Sequence, residues 1–344
     1  MTKLKPAANP TKSRTAFTLW RPLLACLIIA GILGAGYGLW TPGQTVTDGR
    51  HDRGKNGMWL QHGWLGDNNW FKRYKKNPHH FRDPTKIQQL RKRLRRHHIT
   101  DIYPHLCPAR RTGEIAAVDP AQAKQFILMM DEFRIMPWVG GILGDHVKLA
   151  SHQWQNKFVE SVRDLLHTYP GLSGIHINIE PLPSGNTAFI SLLRKLRRRM
   201  PSGKIISIAA YPPPTIYQRT SDVHWDEDYY RDISREAHQM VVMMYDTSLR
   251  FQKLYQHLMK RWTREVLAWS EKTDVLLGIP VYADHGVTYH HPRVENIRNS
   301  LAGIHAGLSQ YKNLPGNYQG IAIYSEWEMD SDEWRYLKRH FLFK

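Results

Sequence analysis

Eight stretches of the chain alternate or run apolar as buried strands do, and helical patterns separate them. They are 57–65 (GMWLQHGWL), 99–107 (ITDIYPHLC), 134–143 (RIMPWVGGIL), 174–181 (GIHINIEP), 204–213 (KIISIAAYPP), 239–247 (QMVVMMYDT), 274–284 (DVLLGIPVYAD) and 320–328 (GIAIYSEWE). Helical spacing is clear over 119–133, where Asp119 suits an N-cap and Pro120 the first helical position. It recurs over 152–169, with Trp154, Phe158, Val162 and Leu165 on one face, and over 331–341 at the end of the chain. Strands and helices in eightfold alternation predict an α/β fold, a (β/α)8 TIM barrel over residues 57–344. An open doubly wound sheet is the competing architecture. No glycine-rich phosphate loop follows the first strand, because GWLGDNN has the wrong spacing, so the barrel is preferred.

Upstream of the barrel lies LWRPLLACLIIAGILGAGYGLW, residues 19–40, uncharged from Pro22 onward. Such a run is close to the ~20 residues that cross a bilayer as helix. The preceding segment, residues 1–18, carries Lys3, Lys5, Lys12 and Arg14 and no acid, and Arg21 extends the basic flank. That bias predicts a cytoplasmic N-terminus and an extracytoplasmic barrel, periplasmic or at the cell surface. An uncleaved signal anchor is preferred to a cleaved signal peptide, since no small-x-small cleavage site is evident. A lipobox reading of LLAC at Cys26 ranks third, because most of the apolar run follows the cysteine. Residues 41–56 read as a polar linker.

Composition changes this picture little. With 344 residues, 42% of them hydrophobic, the chain has room for a barrel and an anchor. Two cysteines exclude a thiol-based zinc site and give nothing to cross-link. The net charge of +18 suits an anionic cell-envelope polymer better than nucleic acid, which an exported domain seldom meets. The densest basic runs, 86–98 and 192–200, read as solvated helix faces.

Candidate chemistry sits at the strand ends, where a barrel builds its active site. These ends offer His62 and Trp64, Tyr103 and His105, Trp138, Asn178 and Glu180, Tyr211, Tyr245 and Asp246, Tyr282 and Asp284, and Tyr324, Glu326 and Trp327. Aromatic plates interleaved with carboxylates and amides are what a carbohydrate cleft requires. In GIHINIEP, Ile175, Ile177 and Ile179 share one parity; His176, Asn178 and Glu180 share the other and are expected to face the barrel axis. Desolvation would then raise the Glu180 pKa and keep a proton for a leaving oxygen.

Taken together, the motifs resemble the glycoside hydrolase family 18 superfamily, the chitinase-like barrels. The fourth-strand signature of that family, D-G-x-D-x-D-x-E, aligns with Ser173-Gly174-Ile175-His176-Ile177-Asn178-Ile179-Glu180. Its third-strand S-x-G-G aligns with Trp138-Val139-Gly140-Gly141, and its M-x-Y-D with Met243-Met244-Tyr245-Asp246. Its eighth strand begins with Gly and ends in a sugar-flooring Trp; here Gly320 leads to Tyr324 and Trp327. The resemblance implies a retaining glycosidase in which the substrate's N-acetyl oxygen attacks the anomeric carbon. Glu180 would be the general acid, Asn178 and Tyr245 would position the acetamido group, and Asp246 would support them. Trp64, Trp138, Tyr211, Tyr324, Glu326, Trp327 and His176 are the expected substrate-binding residues. The sequence departs from the signature at Ser173, His176 and Asn178, which stand where the family has Asp. An amide cannot supply the full charge of a carboxylate, although a different family of endo-β-N-acetylglucosaminidases uses an Asn in the equivalent role. A non-catalytic glycan-binding domain is therefore the alternative.

Two further chemistries fit the sequence less well. A two-carboxylate mechanism of the NEP type fits poorly, because Ile179 separates Asn178 from Glu180 and the seventh strand offers Asp284 and no Glu. A metal centre from His62, His105 and His176 lacks any HExxH-like spacing. Cys107 reads as a core thiol. No metal or cofactor is expected; the expected partners are a polysaccharide or oligosaccharide substrate and, through residues 19–40, a membrane.

Overall fold

The computed structural model describes residues 16–216, 222–283 and 286–343, apart from the side chains of 16–19 and 21. Lys3, Lys5, Lys12, Arg14 and Asp284 therefore lie outside the described residues, as does the side chain of Arg21. The chain divides into two units, Met1–Thr41 and Pro42–Lys344. In the first, α1 (Ala16–Leu39) is a single helix. Its Pro22–Leu39 stretch is long and apolar enough to cross a bilayer, as both membrane anchors and signal sequences are.

The second unit is the barrel. Its strands are β1 (Asn56–Leu60), β2 (Ile99–Pro104), β3 (Arg134–Ile135), β4 (Trp138–Ile142), β5 (Gly174–Glu180), β6 (Ile205–Ala210), β7 (Gln239–Met243), β8 (Asp274–Pro280) and β9 (Tyr318–Tyr324). All pair in parallel, in the order β3-β2-β1-β9-β8-β7-β6-β5-β4. The two ends of that row are halves of one stave. The expected strand 134–143 is interrupted at Met136-Pro137, since proline has no N–H to give to a ladder. The seam still closes, through an isolated bridge between His105 and Trp138 and through Met136 N donating to Ile102 O at 2.9 Å.

Helices α2 (Asn68–Arg73), α3 (His79–Arg82) and α4 (Pro84–Arg96) all fall between β1 and β2. The remaining crossovers carry one helix each: α5 (Pro120–Met129), α6 (His152–Thr168), α7 (Thr187–Arg199), α8 (Glu227–Glu236), α9 (Gln252–Trp269) and α10 (Ile297–Leu308). Helix α11 (Ser331–His340) ends the fold. Asp119 caps α5 by accepting from Gln122 N, with Pro120 in the first turn, as its sequence predicts. Asp330 and Glu333 form a capping box on α11.

Two cores result. Between strands and helices lies a large apolar layer that includes Ile175, Ile177 and Ile179. Inside the barrel, Trp59, Tyr103, Met136, Trp138, Val241, Leu276 and Ala322 pack together. The alternation in β5 thus has the expected sense.

The boundary at 57 requires correction. Residues 42–56 do not form a linker; they are packed onto the barrel. Gln44 N donates to Ala302 O at 2.9 Å, and Val46 and His51 are buried. Asp52 accepts from Gly54 N (2.8 Å), Asn56 Nδ2 (3.0 Å), His98 Nδ1 (2.6 Å) and Phe343 N (3.3 Å). A carboxylate gathering four donors from three parts of the chain fixes this segment, whose polar composition mimics a linker.

Candidate active site

A cavity of about 560 Å³ opens at the C-terminal ends of the strands, lined by Trp59, Trp138, Asn178, Glu180, Tyr245, Asp246, Tyr282, Tyr324 and Trp327 among others. A second, of about 420 Å³, shares Glu180, Tyr245 and Asp246 and adds Tyr211. Glu180 therefore stands between two sugar-sized hollows. The residue is exposed to the cavity, whose lining includes the rings of Trp59, Trp138, Tyr245, Tyr282, Tyr324 and Trp327. Desolvation by these surroundings raises its pKa; the hydrogen bond from Asn178 opposes this, the charge of Asp246 adds to it, and Tyr211 opposes it again.

Asn178 Nδ2 donates to Glu180 Oε1 at 2.5 Å, which leaves Oδ1 buried with no protein donor. Trp138 Nε1 and Ser325 Oγ are likewise buried without partners, and both residues line the same cavity. One acceptor, one donor and one hydroxyl thus stand unsatisfied in residues that line the same cavity as Glu180. Buried polar groups are seldom left unpaired in a folded chain, and an unpaired set in one hollow points to a ligand that completes it.

Gly140 explains the tight seating of Asn178. Its φ is +130°, and a Cβ there would lie 1.9 Å from Asn178 O on the neighbouring strand. Only glycine allows β4 to approach the strand that carries the acid.

Beneath Asn178, a dry polar chain crosses the barrel. Trp59 Nε1 donates to His176 Nε2 (3.1 Å), so the His176 proton sits on Nδ1, facing Ser207 Oγ at 2.8 Å. Ser207 Oγ and Tyr103 OH donate to Gln239 Oε1 (2.7 and 2.9 Å), and Gln239 Nε2 to Asp101 Oδ2 (2.5 Å). Arg134 closes the chain with two 2.6 Å bonds to Asp101. Burial drives the His176 pKa down to about 3, so the ring is neutral.

Of the expected binding residues, Trp138, Tyr324 and Trp327 line the first cavity and Tyr211 the second. Three others require correction. His176 is fully buried one layer below, its ring nitrogens already bonded, and supports the site without reaching it. The first strand ends at Leu60, so Trp64 lies beyond it, packed edge-on against Phe81 and near Phe126. Glu326 turns the same way and accepts from Trp64 Nε1 at 3.3 Å; neither lines the cavity. Of the three interior histidines, His62 and His105 stack with ring centroids 3.4 Å apart, while His176 is held by Trp59 and Ser207. Burial pushes the Cys107 thiol up, although the residue is half-buried and lines a smaller cavity with His62 and Trp70.

On the opposite wall, sequence reasoning found Asp246 and Tyr282 but missed His290 and Glu295. Asp246 follows β7 with φ +60°, a left-handed conformation that costs a non-glycine residue on the order of 1 kcal/mol. It accepts from Tyr282 OH and lies 3.2 Å from His290 Nδ1, which is also 3.7 Å from Glu295 Oε2. The approach to Asp246 is too oblique for a good hydrogen bond and acts as an ion pair. His290 Nε2 faces Tyr282 O at 3.0 Å and must donate to it. Burial alone would keep this ring neutral, but the two carboxylates outweigh it and push its pKa up to about 9. Among the described residues, Asp246, His290 and Glu295 are the group with metal-ligand atoms within 4.8 Å of one another. No spacing signal marked His290 or Glu295, because His290-His291 lies in a stretch with no helical or strand period.

No protein-family model and no curated protein matches the sequence. Solved structures do match by fold. The spore cortex-lytic enzyme SleL of Bacillus cereus superposes with a TM-score of 0.56 at 14% identity, over 86% of this chain and 76% of that one. A class V chitinase from Pseudomonas fluorescens gives 0.53 at 13% identity, over 83% and 98%. A chitinase from Chromobacterium violaceum gives 0.52 at 14% identity, over 83% and 98%. At such identities the likeness concerns the backbone: the chain carries the (β/α)8 barrel fold of the chitinase-like proteins.

Proposed function

We propose that the barrel is a glycoside hydrolase acting on an N-acetylhexosamine-containing glycan by substrate-assisted, retaining hydrolysis. The carrying observation is the unsatisfied set around Glu180: Asn178 Oδ1, Trp138 Nε1 and Ser325 Oγ, in a hollow walled by aromatic rings. The fold likeness to chitinases and to a cortex-lytic enzyme supports the same reading.

The chemistry follows from the groups present. Protonated Glu180 gives its proton to the glycosidic oxygen, and the bond from the anomeric carbon to that oxygen breaks with its electron pair going to the leaving sugar. The substrate's acetamido oxygen closes on the anomeric carbon to form a cyclic oxazolinium. Glu180, now a carboxylate, then takes a proton from water as that water reopens the ring. Asn178 Oδ1 accepts the acetamido N–H while its Nδ2 holds Glu180; Tyr245 hydrogen-bonds the acetamido oxygen. Trp138, Tyr324 and Trp327 stack against sugar faces.

Hydrolysis of N-acetylglucosamine oligomers by the full chain, with the product anomer read by NMR, tests this. Glu180→Gln is expected to lower kcat by at least about 10³-fold, and the first product is expected to keep the β configuration. An inverted product, or an unchanged rate in Glu180→Gln, rejects it. A non-catalytic glycan-binding role is the second reading, favoured by the amide at position 178; binding without turnover in both wild type and Glu180→Gln would establish it. We further propose that residues 19–40 anchor the barrel outside the cytoplasmic face, on the basic flank that precedes them. Protease accessibility of the barrel in intact cells is the corresponding test.

A further inference from the structure

The proposed reaction creates a positive charge on the oxazolinium ring, and the neutral side chain of Asn178 cannot balance it. We infer that Asp246, His290 and Glu295 act as one group with net charge −1 behind the sugar pocket, supplying the negative charge that position 178 lacks. This rests on the hydrolase reading for its catalytic consequence but not for its electrostatics.

The geometry carries the assignment. Tyr282 O is an acceptor only, so His290 Nε2 holds a hydrogen. Nδ1 then points between two carboxylates, 3.2 Å from Asp246 and 3.7 Å from Glu295, with its side chain wholly buried. A bare lone pair there would face two anions; a proton removes the conflict, and the ring becomes an imidazolium. One cation between two anions leaves one negative charge. Glu295 is wholly buried, and its oxygens take Thr247 N at 3.1 and 3.3 Å, so the excess charge is expressed at Asp246, which opens into the cavity. The Asp246–His290 pair alone would be neutral, so Glu295 is the residue that makes the group anionic. Glu295 and His290 are positioning residues in this scheme.

Other groups facing the trio leave its charge alone near neutrality. Tyr282, stacked on His290 with centroids 4.0 Å apart, is pushed far up by burial and by Asp246. Tyr255 on α9 and Tyr245 on the β7 end are likewise raised by burial. Glu180 is raised too, and its charge couples to Asp246.

Two measurements on the full chain test the inference. Equilibrium binding compares a protonated 2-acetamido iminosugar with neutral N-acetylglucosamine oligomers. Glu295→Gln, whose amide still accepts from Thr247 N, is expected to weaken the cationic ligand about tenfold and leave the neutral one unchanged. Equal effects on both ligands, or none on either, overturn the inference. Kinetics then supply the catalytic arm: Glu295→Gln lowers kcat roughly a hundredfold at similar KM, and Asn178→Asp in that background recovers at least tenfold. If wild type hydrolyses nothing yet Glu295→Gln still weakens the cationic ligand selectively, the hydrolase reading fails and the charge assignment stands. A stoichiometric divalent ion in purified wild type that is lost in His290→Gln would overturn the proton assignment.

Discussion

Two buried histidines, about one layer apart in role, sit in opposite states. His176, inside the barrel, touches a tryptophan N–H and a serine hydroxyl and stays neutral. His290, on the wall after β8, lies between two carboxylates and stays charged. Burial opposes charge in both; what differs is whether an anion lies within about 4 Å. The interior polar chain fixes the position of Asn178, whereas the wall fixes charge. Position and charge are therefore assigned to separate parts of this molecule.

The largest expected effect probes the interior. His176 has a folded pKa of about 3 against an ordinary 6.5, so the unfolded chain takes up the proton first as pH falls. Its contribution, on the order of 4 kcal/mol, is complete above pH 6.5 and is lost between pH 6.5 and 3. Urea unfolding of His176→Gln, which keeps a donor and an acceptor, is expected to show a flatter acid limb than wild type over that window; parallel limbs would mean that His176 titrates normally.

Next in size is Arg134→Met. It strips Asp101, wholly buried, of its only cation among the described residues, and is expected to cost about 3 kcal/mol in urea midpoint analysis. A loss below about 1 kcal/mol would show that Gln239 and Thr100 suffice to hold Asp101.

The wall has the reverse pH sign. His290 is raised to about 9, so its stabilisation is complete below pH 6.5 and lost as pH rises from 6.5 through 9. Water reaching Asp246 trims the effect to about 2 kcal/mol. Thermal melts of His290→Gln and wild type should converge by pH 9.5; a constant gap would make the ring a packing element only. The smallest effect is on binding: Trp327→Ala is expected to weaken N-acetylglucosamine oligomers five- to tenfold by calorimetry, roughly the value of one aromatic platform.

Most of the barrel could be read directly, because period-two alternation and capping residues such as Asp119 and Asp330 report local structure. Glu180, Asn178, Tyr245 and Asp246, which the motifs single out, line one cavity, although Tyr245 and Asp246 follow the end of β7 at Met243. The failures share a cause. Trp64 and Glu326 were assigned by extending strands past Leu60 and Tyr324, where the pleat stops and parity loses meaning. Proline's missing donor at 137 split a stave that hydrophobicity alone joins. His290 and Glu295 come together only through the fold, at the end of a loop whose sequence carries no period.

Asp52 bears on how the barrel can be handled in isolation. Starting a recombinant protein at Gly57 would delete Asp52 and Asn56, freeing Phe343 N, His98 Nδ1 and the β1 start at once. Expression should begin at Pro42, so that both chain ends remain clasped at the barrel floor.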